Sequence, residues 1–206
     1  MQRSRFAPIL WALIGVAGGP AVAAGARDPL GPELAILGLK VEEDTFKSLG
    51  ARLGAAKVQK NGGDAAGSLD FICYQGPDGT ALFFTSSEGG GGQVNGVQLA
   101  GSLSQADLSG DGFRPSASLT PLCAPLPSLS RITASPGGLH LGMSPSEVEA
   151  ILGRPRTTKA GIRRWNSEHP IHFRDHPDQF TRSRWFEARF VDDRLVLLSG
   201  GQTTVD

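Results

Sequence analysis

Ser144-Pro145-Ser146-Glu147-Val148-Glu149-Ala150-Ile151-Leu152-Gly153-Arg154-Pro155 is the stretch on which the fold is read. Ser144 has the hydroxyl of an N-cap, Pro145 fits the first helical position, and Glu147 at the third position closes a capping box. Val148, Ile151 and Leu152 supply one buried face, and Gly153 with Pro155 stops the turn. The pattern predicts a short helix. After it come Ile162–Trp165, a His-rich loop, the run Trp185–Val191, the turn residues Asp192-Asp193 and the run Leu195–Leu198. In the longer run Phe186, Ala188 and Phe190 fall on one face, and Trp185, Glu187 and Arg189 on the other. That is a hairpin with one buried and one presented face.

Upstream, residues 102–138 are rich in Ser, Pro and Gly without periodicity and read as a connector. Before it, Gln93–Leu99 alternates polar and apolar as a half-buried strand does. Leu69–Tyr74 and Thr80–Thr85 flank Gly76-Pro77-Asp78-Gly79, a second hairpin around a Pro-Asp-Gly turn. Phe46, Leu49 and Leu53 stand at i, i+3 and i+7, one face of a short helix with acids in its first turn and Gly54 at its end. Helix followed by strands therefore occurs twice, each time after a short apolar segment, Ile36–Val41 or Leu139–Ser144. The expected fold is α+β, with two units at 27–101 and 139–206, each a short helical segment packed on an antiparallel sheet. One continuous sheet and two separate lobes both satisfy this reading.

The amino terminus is read as an export signal. Arg3 and Arg5 precede an apolar run from Phe6 to Ala17, and Ala21-Val22-Ala23-Ala24-Gly25-Ala26 supplies small residues for cleavage. A membrane span needs about 20 apolar residues, and Gly18-Gly19-Pro20 breaks this run. No Cys follows the small residues, so a lipid anchor is not expected either. Cleavage after residue 26 leaves 180 of the 206 residues, with 18 basic against 20 acidic side chains. Such a balance gives no bulk reason to bind nucleic acid or an anionic membrane. The expected location is periplasmic or secreted.

Two cysteines in an exported chain are most simply one disulfide, Cys73 to Cys123. A redox pair lacks the close C-x-x-C spacing, and a thiolate metal site lacks nearby ligands.

Several constellations suggest chemistry. His169, His172 and His176, with Glu168, Asp175 and Asp178 between them, could hold zinc or copper, but Pro170 and Pro177 suggest a solvated turn. Asp107–Gly112 resembles the start of a calcium loop, yet Ser118 stands where its bidentate acid belongs. Gly89–Gly92 precedes a strand and no Lys-Ser/Thr, which fits a flexible loop better than a phosphate cradle. No nucleophile elbow or S-x-x-K pair is present. Neither catalysis nor a cofactor is expected. Residues 156–189 interleave arginines with Trp165, Phe173, Phe180 and Trp185, and Arg and Trp are the residues that anchor protein interfaces.

Leu141–Val148, continued by Ile151–Pro155 and closed by Phe190-Val191-Asp192-Asp193-Arg194-Leu195-Val196, resembles the repeat of the SmpA/OmlA family. That family includes the small lipoprotein of the outer-membrane β-barrel assembly machinery. Two such units in tandem look like the secreted β-lactamase inhibitor proteins. The resemblance covers residues 139–200, and 36–100 in outline. It implies a helical segment packed on an antiparallel sheet and a role in binding proteins. The functional expectation is a non-catalytic module that binds another envelope or secreted protein, with Trp165, Trp185 and Arg189 as anchors. The alternative is a metal-binding or enzymatic protein centred on His169, His172 and His176.

Overall fold

The computed structural model describes residues 30, 34–61, 69–87, 91–106, 122–172 and 179–205. The signal reading of residues 1–26, the calcium-like segment and His176 lie outside them. Eleven strands and two eight-residue helices are present among the described residues. In chain order they are β1 (Ala35–Ile36), β2 (Leu39–Lys40), α1 (Phe46–Leu53), β3 (Gln59–Asn61), β4 (Leu69–Gln75), β5 (Ala81–Ser87) and β6 (Gly96–Ala100). A single 3-10 turn, Leu103–Gln105, precedes β7 (Ala124–Pro125) and α2 (Pro145–Leu152). The chain ends with β8 (Thr157–Lys159), β9 (Ile162–His172), β10 (Gln179–Val191) and β11 (Arg194–Val205).

The α+β expectation of two helix-on-sheet units is overturned. Nine of the strands form one sheet in the order β3-β4-β5-β6-β11-β10-β9-β8, with β7 beside β4, and every neighbour pair but β4–β7 is antiparallel. The fold is β-rich. The two halves join where β6 pairs with β11, from Leu197↔Ala100 to Gly201↔Gly96. The physical reason lies in β6, which is buried along its whole length. A strand with both edges hydrogen-bonded and both faces covered belongs to the middle of a sheet. The second half also contains much more strand than its apolar runs announce. β9 continues through His169 and Pro170 to His172, and β11 continues through Gly200-Gly201 to Val205, so His169, Pro170 and His172 belong to a strand where a turn was expected.

Local signals fared better. In α2, Ser144 Oγ accepts from the Glu147 N–H and the Glu147 carboxylate accepts from the Ser144 N–H at 2.7 Å. Val148 and Leu152 are buried. In α1 the cap is Thr45 and the box partner is Ser48, while Glu43 and Asp44 precede the helix, so the acids expected in its first turn stand outside it. The Gly76–Gly79 turn forms, with Asp78 Oδ1 accepting from the Thr80 N–H at 3.0 Å and Oδ2 from the Arg131 N–H at 2.9 Å. Asp192 and Asp193 adopt φ 49° and 55°, the left-handed pair that a two-residue hairpin turn requires.

Both helices pack on one face of the sheet, the inner face. Leu49, Val148 and Leu152 meet Ile72, Leu82, Phe84, Val97, Leu99, Phe186 and Ala188 in one cluster. Each helix is also tied down at its C-terminal glycine. Tyr74 Oη donates to the Gly54 carbonyl at 2.8 Å, and Trp165 Nε1 donates to the Gly153 carbonyl at 2.9 Å. A buried ring with one polar atom thus fills the core and satisfies a carbonyl that the helix leaves open. Burial pushes the Tyr74 hydroxyl pKa up from its ordinary value.

Candidate binding face

The outer face, opposite the helices, is treated differently in the two halves. On β4 and β5 it carries Phe71, Cys73, Ala81 and Phe83, all fully buried beneath Leu103, Ala106 and Cys123. Cys73 and Cys123 are brought to disulfide distance and joined, with Cα atoms 4.4 Å apart. Gln59 adds a second tie, since its side-chain amide donates to the Leu122 carbonyl at 2.9 Å and accepts from the Leu122 N–H at 2.8 Å. The amide stands in for a strand neighbour and fixes the chain one residue before the bridge.

On β9 and β10 the outer face carries Arg164, Asn166 and Glu168 alongside Ser183, Trp185, Glu187 and Arg189, as the register Trp185↔Asn166 and Glu187↔Arg164 requires. Trp185 is 42% exposed, while its neighbours Phe186 and Ala188 face the core. The face assignment made from sequence therefore holds. Arg164 Nε donates to Glu187 Oε2 at 2.6 Å, a cross-strand pair two residues along from the indole. Arg189, half-buried, continues the same row.

The position of the indole depends on Gly201, its partner across β10 and β11. A Cβ at Gly201 would stand 2.7 Å from Trp185 Nε1 and 2.8 Å from the Asn95 carbonyl oxygen. The ring therefore covers bare backbone. Gly200 serves the other face, where a Cβ would come within 2.9 Å of both Leu34 and Phe186. The glycine pair lets one aromatic ring approach β11 from each side, a use of strand glycine that a hydropathy pattern does not reveal.

Of the three expected anchors, two stand on this face and one does not. Trp165 faces the core, is 4% exposed and has its N–H engaged by Gly153. It cannot reach a partner from there. His169 lies in β9 opposite Arg182, on the inner side, and His172 ends the strand. No group of three metal-ligating side chains gathers among the described residues.

A further cluster escaped the sequence reading. Glu42, with φ 64°, presents its carboxylate to β11, where Oε2 accepts from Gln202 Nε2 at 2.6 Å and Thr204 Oγ1 at 3.0 Å. Arg184 Nε donates in turn to Gln202 Oε1, and Arg182 Nε lies 3.9 Å from Glu42. The contact spans 160 residues of sequence and latches the segment before α1 onto the far end of β11. Its only local sign is an acid in a tight turn. Beside it a shallow cleft of about 330 Å³ opens between Lys40, Val41, Pro136 and Arg184. Lys40 is held there by Glu43 at 3.0 Å, so the charges at its mouth are largely internal.

No helix among the described residues is long and apolar enough to cross a membrane. No family model matches the chain, and no curated protein or solved structure matches it significantly.

Proposed function

We propose that this chain is an exported, non-catalytic module that binds another envelope or secreted protein through the outer face of β9, β10 and β11. One observation carries the reading: Trp185 stands 42% exposed on the face where Phe71, Cys73, Ala81 and Phe83 of the other half are buried. An indole flanked by Arg164, Glu187 and Arg189 has the composition of an interface centre, where Trp and Arg are enriched. Export is supported by the charged and apolar pattern of residues 1–26 and by the Cys73–Cys123 pair, which belongs in an oxidising compartment. The likeness of residues 139–200 to the SmpA/OmlA repeat also favours binding over catalysis.

The test is affinity capture from envelope extract with the tagged protein and with Trp185→Ala. Truncating a central aromatic anchor costs about 2 kcal/mol or more, a loss of at least ~30-fold in affinity. A partner held equally by both forms removes Trp185 from the interface, and no partner at all defeats the reading.

A further inference from the structure

Beside the open face lies an open edge. β8 pairs with β9 only from Ile162 to Arg164, whereas β9 runs on to His172. The hydrogen-bond phase of β9 follows from one contact, the Phe190 N–H donating to the Gly161 carbonyl at 2.9 Å. With an unbroken register from Arg189↔Ile162 to Gln179↔His172, odd-numbered residues of β9 bond to β10 and even-numbered ones point their N–H and C=O away. Arg164 agrees, since its carbonyl accepts from the Arg156 N–H at 2.7 Å on that outer side. The next two even residues, Asn166 and Glu168, are exposed, and no described residue bonds to their main-chain groups. Pro170 follows in the same row. It has no N–H to offer and so limits the open stretch, as proline does on strand edges.

We propose that the β9 edge at Asn166 and Glu168 takes up an extended acidic segment of the partner as an added strand. The inference rests on the protein-binding reading and names the kind of segment recognised. Two residues with outward N–H and C=O groups offer four main-chain hydrogen bonds, the basis of strand addition. Charge chooses the occupant. Arg156, whose N–H donates to the Arg164 carbonyl, and Arg154 two residues before it are exposed where the chain enters β8, and Lys159 is exposed at the other end of β8. None is in an ion pair among the described residues, whereas Arg163 and Arg164 are matched by Glu149 and Glu187. Glu168 is the one acid in the row. An acidic strand laid against Asn166 and Glu168 continues the line of β8 beyond Thr157, the end that Arg154 and Arg156 lead into, while a second copy of this chain would set the same cations against themselves.

The probe is an end-blocked, fluorescein-labelled peptide, Thr-Glu-Val-Glu-Val-Asp-Thr, titrated with the purified protein and followed by anisotropy. Saturable binding is expected. It should fall by ~10-fold or more when alternate peptide amides are N-methylated, when each acid is replaced by Lys, and in Arg154→Glu/Arg156→Glu. Glu168→Pro removes one outward N–H, leaves the β10 ladder untouched and should weaken binding similarly. The N-methylated peptide asks the same question without altering the protein. No binding up to about 1 mM, or binding indifferent to N-methylation, overturns the inference. So does a dimer that Glu168→Pro dissolves, since a second copy then fills the edge. A partner captured from envelope extract through Trp185 but retained by Glu168→Pro would sink the added strand while leaving the binding face intact.

Discussion

Phe83 and Trp185 point to the same side of one sheet, yet Phe83 is fully buried and Trp185 is 42% exposed. Strand position does not explain the difference, because both are aromatic side chains on antiparallel strands that are paired on both edges. What differs is the third layer. Over β4 and β5 the chain lays down the Leu103–Gln105 turn and the Leu122–Cys123 segment, fixed by Gln59 and by the bridge to Cys73. Over β9 and β10 no described segment does so. The same alternation of side chains thus builds a second small core in one half and a presented surface in the other. A hydrophobic residue on a strand reports burial only when something else in the chain returns to cover it.

The comparison breaks most directly at Phe83. Phe83→Ala should cost about 3–5 kcal/mol, because the cavity lies in a closed cluster. Trp185→Ala should change stability by less than about 1 kcal/mol, since one side of the ring already meets solvent. Chemical denaturation of the two variants measures both, and comparable losses would mean that the second half is covered as well.

Removing the bridge comes next. Cys73→Ser/Cys123→Ser releases a loop of 50 residues, which corresponds to about 4 kcal/mol in the chain-entropy account. The loss should be local in its first signs. Hydrogen exchange is expected to speed up in β4 and β5 before β10 and β11, whose inner-face packing does not use the cover. Uniform acceleration along the sheet would contradict a separable third layer.

These contrasts also show what could be read in advance. The capping box at Ser144, the Pro-Asp-Gly and Asp-Asp turns and the two-face pattern of Phe186 against Trp185 are local, and the cysteine pairing follows from there being two cysteines; all are present. The union of the halves is not local. It depends on β6 finding β11 about a hundred residues away, and nothing within Gly96–Ala100 names its partner. The extension of β11 was hidden by Gly200-Gly201, which reads as a strand end until the rings of Phe186 and Trp185 are seen to need bare backbone. Trp165 was misplaced as an anchor for a similar reason. Composition cannot tell a tryptophan that caps a helix end from one that faces solvent.

A smaller effect tests the cap of α2. Ser144→Ala removes the hydroxyl that accepts the Glu147 N–H and should cost about 1 kcal/mol. The loss should appear as a lower denaturation midpoint with the Cys73–Cys123 pair still oxidised.

The smallest effect compares one carboxylate from each half. For Asp78 burial raises the pKa, but the N–H groups of Arg131 and Thr80 outweigh it and hold the carboxyl below its ordinary value. Glu147 is held low by the Ser144 N–H and hydroxyl. A carboxyl whose folded pKa is depressed binds its proton more readily in the unfolded chain. Its contribution is therefore fully present above the ordinary carboxylate range and is lost as pH falls through the folded value. The melting temperatures of wild type and Glu147→Gln should differ at neutral pH and converge in acid, and Asp78→Asn should behave likewise. Asp78 anchors Arg131, in the segment leading from the bridge to α2, whereas Glu147 closes a cap on an exposed helix turn. Added salt should accordingly shrink the Glu147 difference more than the Asp78 difference, because Coulomb attraction to Arg194 and His140 also helps hold Glu147 low and is screened in solvent. Equal salt sensitivity would mean that the charges of Arg194 and His140 contribute nothing to holding Glu147 low.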